Sequence, residues 1–260
     1  MLDQPLLLEP LLRLMPLPRT LMRHAPASAE RRLFSVRLRD TPLAQGLGVH
    51  FDDSCWLTVA EGMKPAEAAL KLSVNGGKKR FSGVHLTVLS TKGQAKLILG
   101  DDQAKVFIGS NTNVRATVHL FGEPTLFIGD GTQIGAQARL MVNHADLVIG
   151  ADCQLVDDAL IQCNDPFPVI DLTNGELLNG DRRRIYLGRH VLVNRRAVLN
   201  PGVRVGDGAI IQAGAVVVRD VPPNTWVGGS PAVVLREQVA WERDPRRTVG
   251  RAHAKTSDAA

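Results

Sequence analysis

The chain has 260 residues, enough for one large domain or two small ones, and a net charge of only +5. Its basic residues lack the aromatic interleaving that single-stranded nucleic-acid binding uses, and no apolar run approaches membrane-spanning length. Aromatics make up 4% of the residues, which suits a narrow interior lined by Ile, Leu, Val and Ala.

The chain opens on a Leu-rich stretch, residues 1–25, broken by Pro5, Pro10, Pro16 and Pro18 and lacking the basic-then-apolar order of a secretory signal. It reads as a docking arm or short helix against the body or a partner, with a membrane surface as the lesser alternative. Residues 1–83 show no six-residue period and are expected to form this arm and an irregular, β-rich N-terminal cap. Within it, Lys64 to Leu70 carries Pro65 at a position suited to starting a short helix. The three cysteines, Cys55, Cys153 and Cys163, are odd in number and without metal-ligand spacing, which points to a reducing, cytoplasmic compartment.

From Val84 onward strands follow one another, and the pattern locks at Ile108. Ile108, Val114 and Leu120 lead three successive segments; Ile128, Ile134 and Leu140 lead the next three, then Ile149, Leu155 and Ile161. Two or three extra residues separate these sets, always at the same place, and a longer excursion covers 167–186. The clearest run is 187–222, where Leu187, Val193, Leu199, Val205, Ile211 and Val217 recur every six residues. Four places after each stands a small or β-branched residue, Val191, Ala197, Val203, Ala209, Ala215 and Val221. A period of six is neither the strand's two nor the helix's 3.6, so the unit is a short strand plus a turn, and units must stack to bury their apolar edges. After Pro222 comes an exit segment over 223–243, where Ser230, Pro231 and the pattern of Ala232, Leu235 and Val239 suggest a short C-terminal helix. Residues 244–260 read as a disordered tail.

The repeat resembles the hexapeptide of acyltransferases built on a left-handed parallel β-helix, and is most similar to O-acetyltransferases that modify sugars and surface polysaccharides. The resemblance implies a mainly β, left-handed parallel β-helix, a homotrimer with clefts between subunits, acetyl-CoA or another acyl-CoA as donor substrate, and a sugar or polysaccharide acceptor. No metal site is expected, because a β-helical one would need several histidines converging from neighbouring coils, and His119 and His144 head towards different faces. The resemblance also implies a histidine base in a segment like S-S-D-x-H-P-I. Here the matching stretch runs Cys163-Asn164-Asp165-Pro166-Phe167-Pro168-Val169, so Phe167 holds the histidine's place. A phenyl ring cannot accept a proton.

The repeat register itself suggests a replacement. Among the places four after each leading residue, only His144 and Asp165 break the small-residue rule, and Leu140 stacks under Ile161, so the two would face each other on neighbouring coils. They read either as a catalytic base with its carboxylate or as a structural pair at a corner. His119 is read as a surface residue, and His190 as a turn residue without catalytic duty. Segments like A-G-S-V-V-x-K-D hold the donor's pantetheine arm in the resembling family. The counterpart here is Ala213, Gly214 and Ala215 with Arg219, followed by Gly229 and Ser230 where a helix N-terminus would favour an anion. Arg182, Arg183, Arg184, Arg195 and Arg196 form a basic set expected to receive an acidic sugar or the donor's phosphates, or else simply a solvated face. A non-catalytic relative, serving as a binding or assembly subunit of a polysaccharide machine, is the rival to the enzyme.

Overall fold

The structure, a computed structural model, describes residues 6–7, 32–75, 77–165, 167–180 and 183–244. Three parallel sheets run the length of a triangular prism. The first face stacks Trp56–Ala60, His85–Val88, Lys105–Ile108, Thr125–Ile128, Ala145–Ile149, Arg183–Leu187 and Arg204–Val205. The second face carries Asn113–Val114, Gln133–Ile134, Gln154–Leu155, Leu192–Val193, Ile210–Ile211 and Trp226–Gly229. The third carries Leu70–Val74, Ala95–Leu99, Thr117–Phe121, Arg139–Asn143, Leu160–Gln162, Val198–Leu199 and Val216–Val217.

The six-residue period explains this shape directly. Leading residues from Ile108 to Val217 point inward and are buried, as are Ala159, Ala197, Ala209 and Ala215. The corner between them needs a left-handed residue, and His190, Arg196, Gly202, Gly208 and Gly214, six apart, all have φ between 54° and 86°. Two of these are not glycine, so the stacked ladder outweighs a local cost of about 1–2 kcal/mol at each. Side-chain caps spare the corner amides: Asp130 Oδ1 accepts from Ser110 N at 2.8 Å, and Asp207 Oδ1 from Arg189 N at 2.7 Å.

The stacking begins earlier than the sequence period suggested. Parallel pairing starts at His50–Phe51, which lies beside Arg80–Phe81, and then at Trp56–Ala60 rather than near residue 84, and inward Leu57, Val59, Leu72, Leu86 and Val88 already fill the prism. The first coils use longer strands and looser corners, so their spacing is not six, and no repeat is visible in the letters. At this end of the prism Arg32–Arg37 (with Leu6–Leu7 beside it) runs antiparallel, closing the open edge at Trp56–Ala60. Lys64 to Leu70 holds one 3-10 turn, Pro65–Glu67, and then becomes strand.

The exit also differs from expectation. Among the described residues no helix forms after Ser230; Ala232–Arg236 is a strand that turns back antiparallel on Trp226–Gly229. The β-branched pair Val233 and Val234 suits a strand, and pairing satisfies an otherwise open sheet edge, whereas an isolated helix of about 12 residues is marginal. The excursion is shorter than expected, because strand pairing resumes at Arg183 opposite Ala145. Most of the arm at 1–25 and the tail at 245–260 lie outside the described residues.

Candidate active site

The extra residues at one corner, expected to interrupt the repeat, are strand. Arg139–Asn143 runs five residues where Val198–Leu199 has two, and it alternates Leu140 and Val142 inward before Ala145 takes the next interior place. On the following coil Ile161 and Cys163 occupy the matching positions. This lengthening moves both expected partners out of the core. His144 is exposed in the left-handed region with φ 46°, its amide donating to Phe121 O at 2.9 Å. Asp165 is exposed too, with Oδ1 accepting from Gln162 Nε2 at 3.0 Å. Among the described residues no hydrogen bond or ion pair joins His144 to Asp165, so the expected pair is not formed.

His144 instead stands in a surface concavity of about 440 Å³, lined by Asp101, Asp102, Gly122, Glu123 and Gly180 as well as itself. These come from three successive turns of the third-to-first corner and from the returning end of the excursion. Asp101 Oδ2 accepts from the Gly122 amide at 3.0 Å. Asp102 accepts from Ser82 N at 2.9 Å and pairs with Lys78 at 3.0 Å. The imidazole can take a proton from a hydroxyl seated there, and the carboxylate oxygens can accept from neighbouring hydroxyls. The six-residue register gave no hint of these acids, because Asp101 and Asp102 precede the point where it locks.

The excursion is held by a residue the sequence did not single out. Asn179, 9% exposed, accepts from Val169 N at 2.9 Å and donates to Phe167 O at 2.7 Å, tying its two ends together. That frame presents Phe167 at 77% exposure and Leu172 at 96%, with Val169, Ile170, Leu177 and Leu178 also exposed.

The expected donor and basic residues regroup. Ala215 is fully buried with its methyl in the prism, its amide donates to Gln212 O at 3.2 Å, and the Gly214 amide donates to Arg195 O at 3.0 Å. Those two amides therefore serve the corner and not a ligand. Ala213 and Gly214 remain exposed on the second-to-third corner, directly over Arg195 and Arg196. Both arginines are open, and reach Asp157 and Asp158 only at 3.6 and 3.9 Å. Arg219 sits at the third-to-first corner, and Gly229 and Ser230 end a second-face strand, with no helix N-terminus behind them. Arg183 and Arg184 lie on the first face, where Arg184 reaches buried Asp146 at 3.0 Å; Arg182 lies outside the described residues. The four described arginines, Arg183, Arg184, Arg195 and Arg196, thus do not form one patch.

Two other histidines are placed. His190 is hydrogen-bonded to Asp152 and Trp241. His119 is half-buried on the outer side of the third face, and burial, then Lys96 and Arg139, push its pKa down. Among the described residues no cluster of three or more His, Cys, Asp or Glu has metal-holding geometry.

This prism is the left-handed parallel β-helix, and residues 184–219 match the model of the bacterial transferase hexapeptide (six repeats). Over 138 residues, 53% of this chain and 45% of the other, the protein is 27% identical to a polysialic acid O-acetyltransferase of Escherichia coli O1:K1 / APEC. It is 41% identical to the galactoside O-acetyltransferase of Escherichia coli (strain K12) over 25% of this chain and 30% of that one. The chain thus spans less than half the length of these two relatives. Among solved structures, the polySia-specific acetyltransferase NeuO overlays with a TM-score of 0.63 at 21% identity, over 82% of this chain and 93% of its own. The chain is a hexapeptide-repeat protein that resembles the sugar O-acetyltransferases.

Proposed function

We propose that the protein is an acyl-CoA-dependent O-acyltransferase, transferring an acetyl group to a hydroxyl of a sugar or surface-polysaccharide precursor. The observation that carries this reading is the histidine-bearing concavity set immediately below the excursion of a hexapeptide prism. His144 takes the proton of the acceptor hydroxyl as its oxygen attacks the thioester carbonyl. The C–S bond of the tetrahedral intermediate then breaks, and the imidazolium returns the proton to the leaving thiolate. Arg195 and Arg196, beside exposed Ala213 and Gly214, supply the cations for the donor's phosphates.

That basic corner and the His144 corner lie at opposite edges of the third face. One chain therefore holds donor and base apart, and a neighbouring copy is needed to bring one corner to the other. A homotrimer with shared clefts meets this need, and the exposed apolar excursion is the element to reach across. The three free, buried cysteines are in keeping with the reducing cytoplasm, where acyl-CoA donors are found.

The experiment is acetyl transfer from acetyl-CoA to a panel of sialic acid oligomers and neutral sugars, with calorimetric binding of coenzyme A alongside. His144→Ala should lower kcat by about a hundred- to ten-thousand-fold at unchanged melting temperature, because the side chain is exposed. The second reading, a non-catalytic binding subunit, rests on Phe167 at the place of the resembling family's histidine. It predicts coenzyme A binding without turnover, and transfer gained on Phe167→His. Robust transfer that survives His144→Ala would remove His144 as the base.

A further inference from the structure

The outer side of the third face carries a row of cations that the fold holds in register. Lys71 pairs with Lys96, Lys96 with Thr117, and Thr117 with Arg139, so the three basic side chains stand on one line along the prism axis. At about 4.8 Å per coil the row spans roughly 14 Å. All three residues are exposed, and none forms an ion pair with a described residue. Lys71 and Lys96 stand directly opposite, an unfavourable placement for like charges, while Thr117 lies between Lys96 and Arg139. A strand surface that keeps them without counter-charges is built for an anion brought from outside.

Beside this rail runs a second line, Ile98, His119 and Met141, again in register, with Phe121 stacked near His119 at 6.5 Å. Phe121 also lies over Gly100, where a Cβ would collide with its ring. The surface therefore pairs a charged rail with a flat apolar and aromatic strip. Its upper end is the strand Arg139–Asn143, whose next residue is His144.

We infer that the third face binds an acidic glycan, its carboxylates on Lys71, Lys96 and Arg139 and its sugar faces on the Ile98–His119–Met141 strip, leading the chain to the His144 concavity. The polymer class rests on the acyltransferase reading, while the binding itself does not. A glycan fits better than a nucleic acid, because the rail is single and its apolar strip is continuous and lacks spaced aromatic platforms for bases. Self-association of this face is disfavoured by its own like charges.

The test uses the full chain and calorimetry with sialic acid oligomers, with maltodextrin and duplex DNA as comparisons. The oligomers should bind with an affinity that falls as salt rises, and maltodextrin should not bind. The triple substitution Lys71→Gln, Lys96→Gln, Arg139→Gln should weaken oligomer binding by roughly tenfold, the combined size of a few exposed charge contacts, at unchanged melting temperature. Unchanged affinity in the folded triple variant would overturn the inference, as would duplex DNA binding as tightly as the oligomer. If transfer is observed without oligomer binding, the rail fails and the enzyme stands. Binding without any transfer leaves the rail and removes the enzyme.

Discussion

The imidazole of His144 lies against the bare α-carbon of Gly122 on the preceding turn of the corner, with its Nδ1 and Cε1 in the space a Cβ there would take. Gly122 also has φ 62°, and its amide is bound by Asp101. Gly122→Ala should therefore act twice. The left-handed backbone costs about 1–2 kcal/mol, a fall of a few degrees in Tm for a chain of this size. The added methyl also forces the imidazole out of its seat, so transfer should drop by more than the stability loss explains. Activity at the wild-type level in the folded variant would show that the position of His144 does not matter.

Two thiols tie stability to alkaline pH. Burial pushes Cys153 up to about 12 from an ordinary 9.0, partly offset by the Val191 amide, and burial with Asp146 pushes Cys163 up as well. Above pH 9 the unfolded chain releases these protons first. Their stabilising contribution is thus fully present below that pH and is lost as pH rises towards the folded values. For Cys153 the slope is about 1.4 kcal/mol per pH unit. Denaturation of wild type and Cys153→Ala at pH 8, 9, 10 and 11 should show a shallower decline in the variant. Iodoacetamide at pH 8 should label neither buried thiol until the chain unfolds. Parallel declines, or rapid native labelling, would contradict the burial.

What the letters disclosed follows from where the period is strict. Between Leu187 and Val217 every inward residue could be named, because each unit is six long and each corner takes one left-handed residue. At Leu140 to Ala145 the same rule named the wrong residue, since a lengthened strand shifts the interior place from His144 to Val142 and Ala145. The cation rail was invisible for a related reason. Lys71, Lys96 and Arg139 are 25 and 43 residues apart (96 − 71 and 139 − 96) and become neighbours only through pairings on irregular coils. From the letters the C-terminal strand reads as a helix, because Ala232, Leu235 and Val239 fit a helical stripe, while the open edge that captures the segment is a tertiary fact.

Beyond that strand the chain turns back along the first-to-second corner and clasps it. Trp241 stacks on His190 at 4.2 Å and donates to its carbonyl at 2.7 Å. The two ring nitrogens of His190 lie 2.7 Å from Asp152 Oδ2 and 3.0 Å from Trp241 O. Arg243 then bonds Asp152 Oδ1 at 3.1 Å, Gln154 Oε1 at 2.8 Å, and the carbonyls of Asp152 and Cys153, each at 2.9 Å. Hydrogen bonds from a charged group contribute about 1.5–3 kcal/mol in favourable cases, and partial exposure trims this. Arg243→Ala should lower Tm by several degrees and speed amide exchange at Gln154 and Val191. No change in either would mean the clasp is not closed in solution.

Assembly is the last prediction, and it concerns the excursion. Six apolar side chains, Phe167, Val169, Ile170, Leu172, Leu177 and Leu178, are exposed within twelve residues. Random coil could hide them by folding back on the prism, but Asn179 and the Ile170 to Leu177 bridge hold them out. Exposed apolar side chains this close together are what a proposed protein contact would cover. In the proposed trimer, a second copy brings the basic corner at Arg195 and Arg196 to the concavity at His144. Light scattering should therefore give three times the chain mass at micromolar concentration. Ile170→Asp with Leu172→Asp should lower that mass and abolish transfer, while each chain keeps its far-UV spectrum, because neither residue enters the prism core. Asn179→Ala should weaken assembly in the same direction by freeing the frame. A monomer at these concentrations would sink both the trimer and the shared cleft, and a trimer untouched by the two aspartates would move the contact to another face.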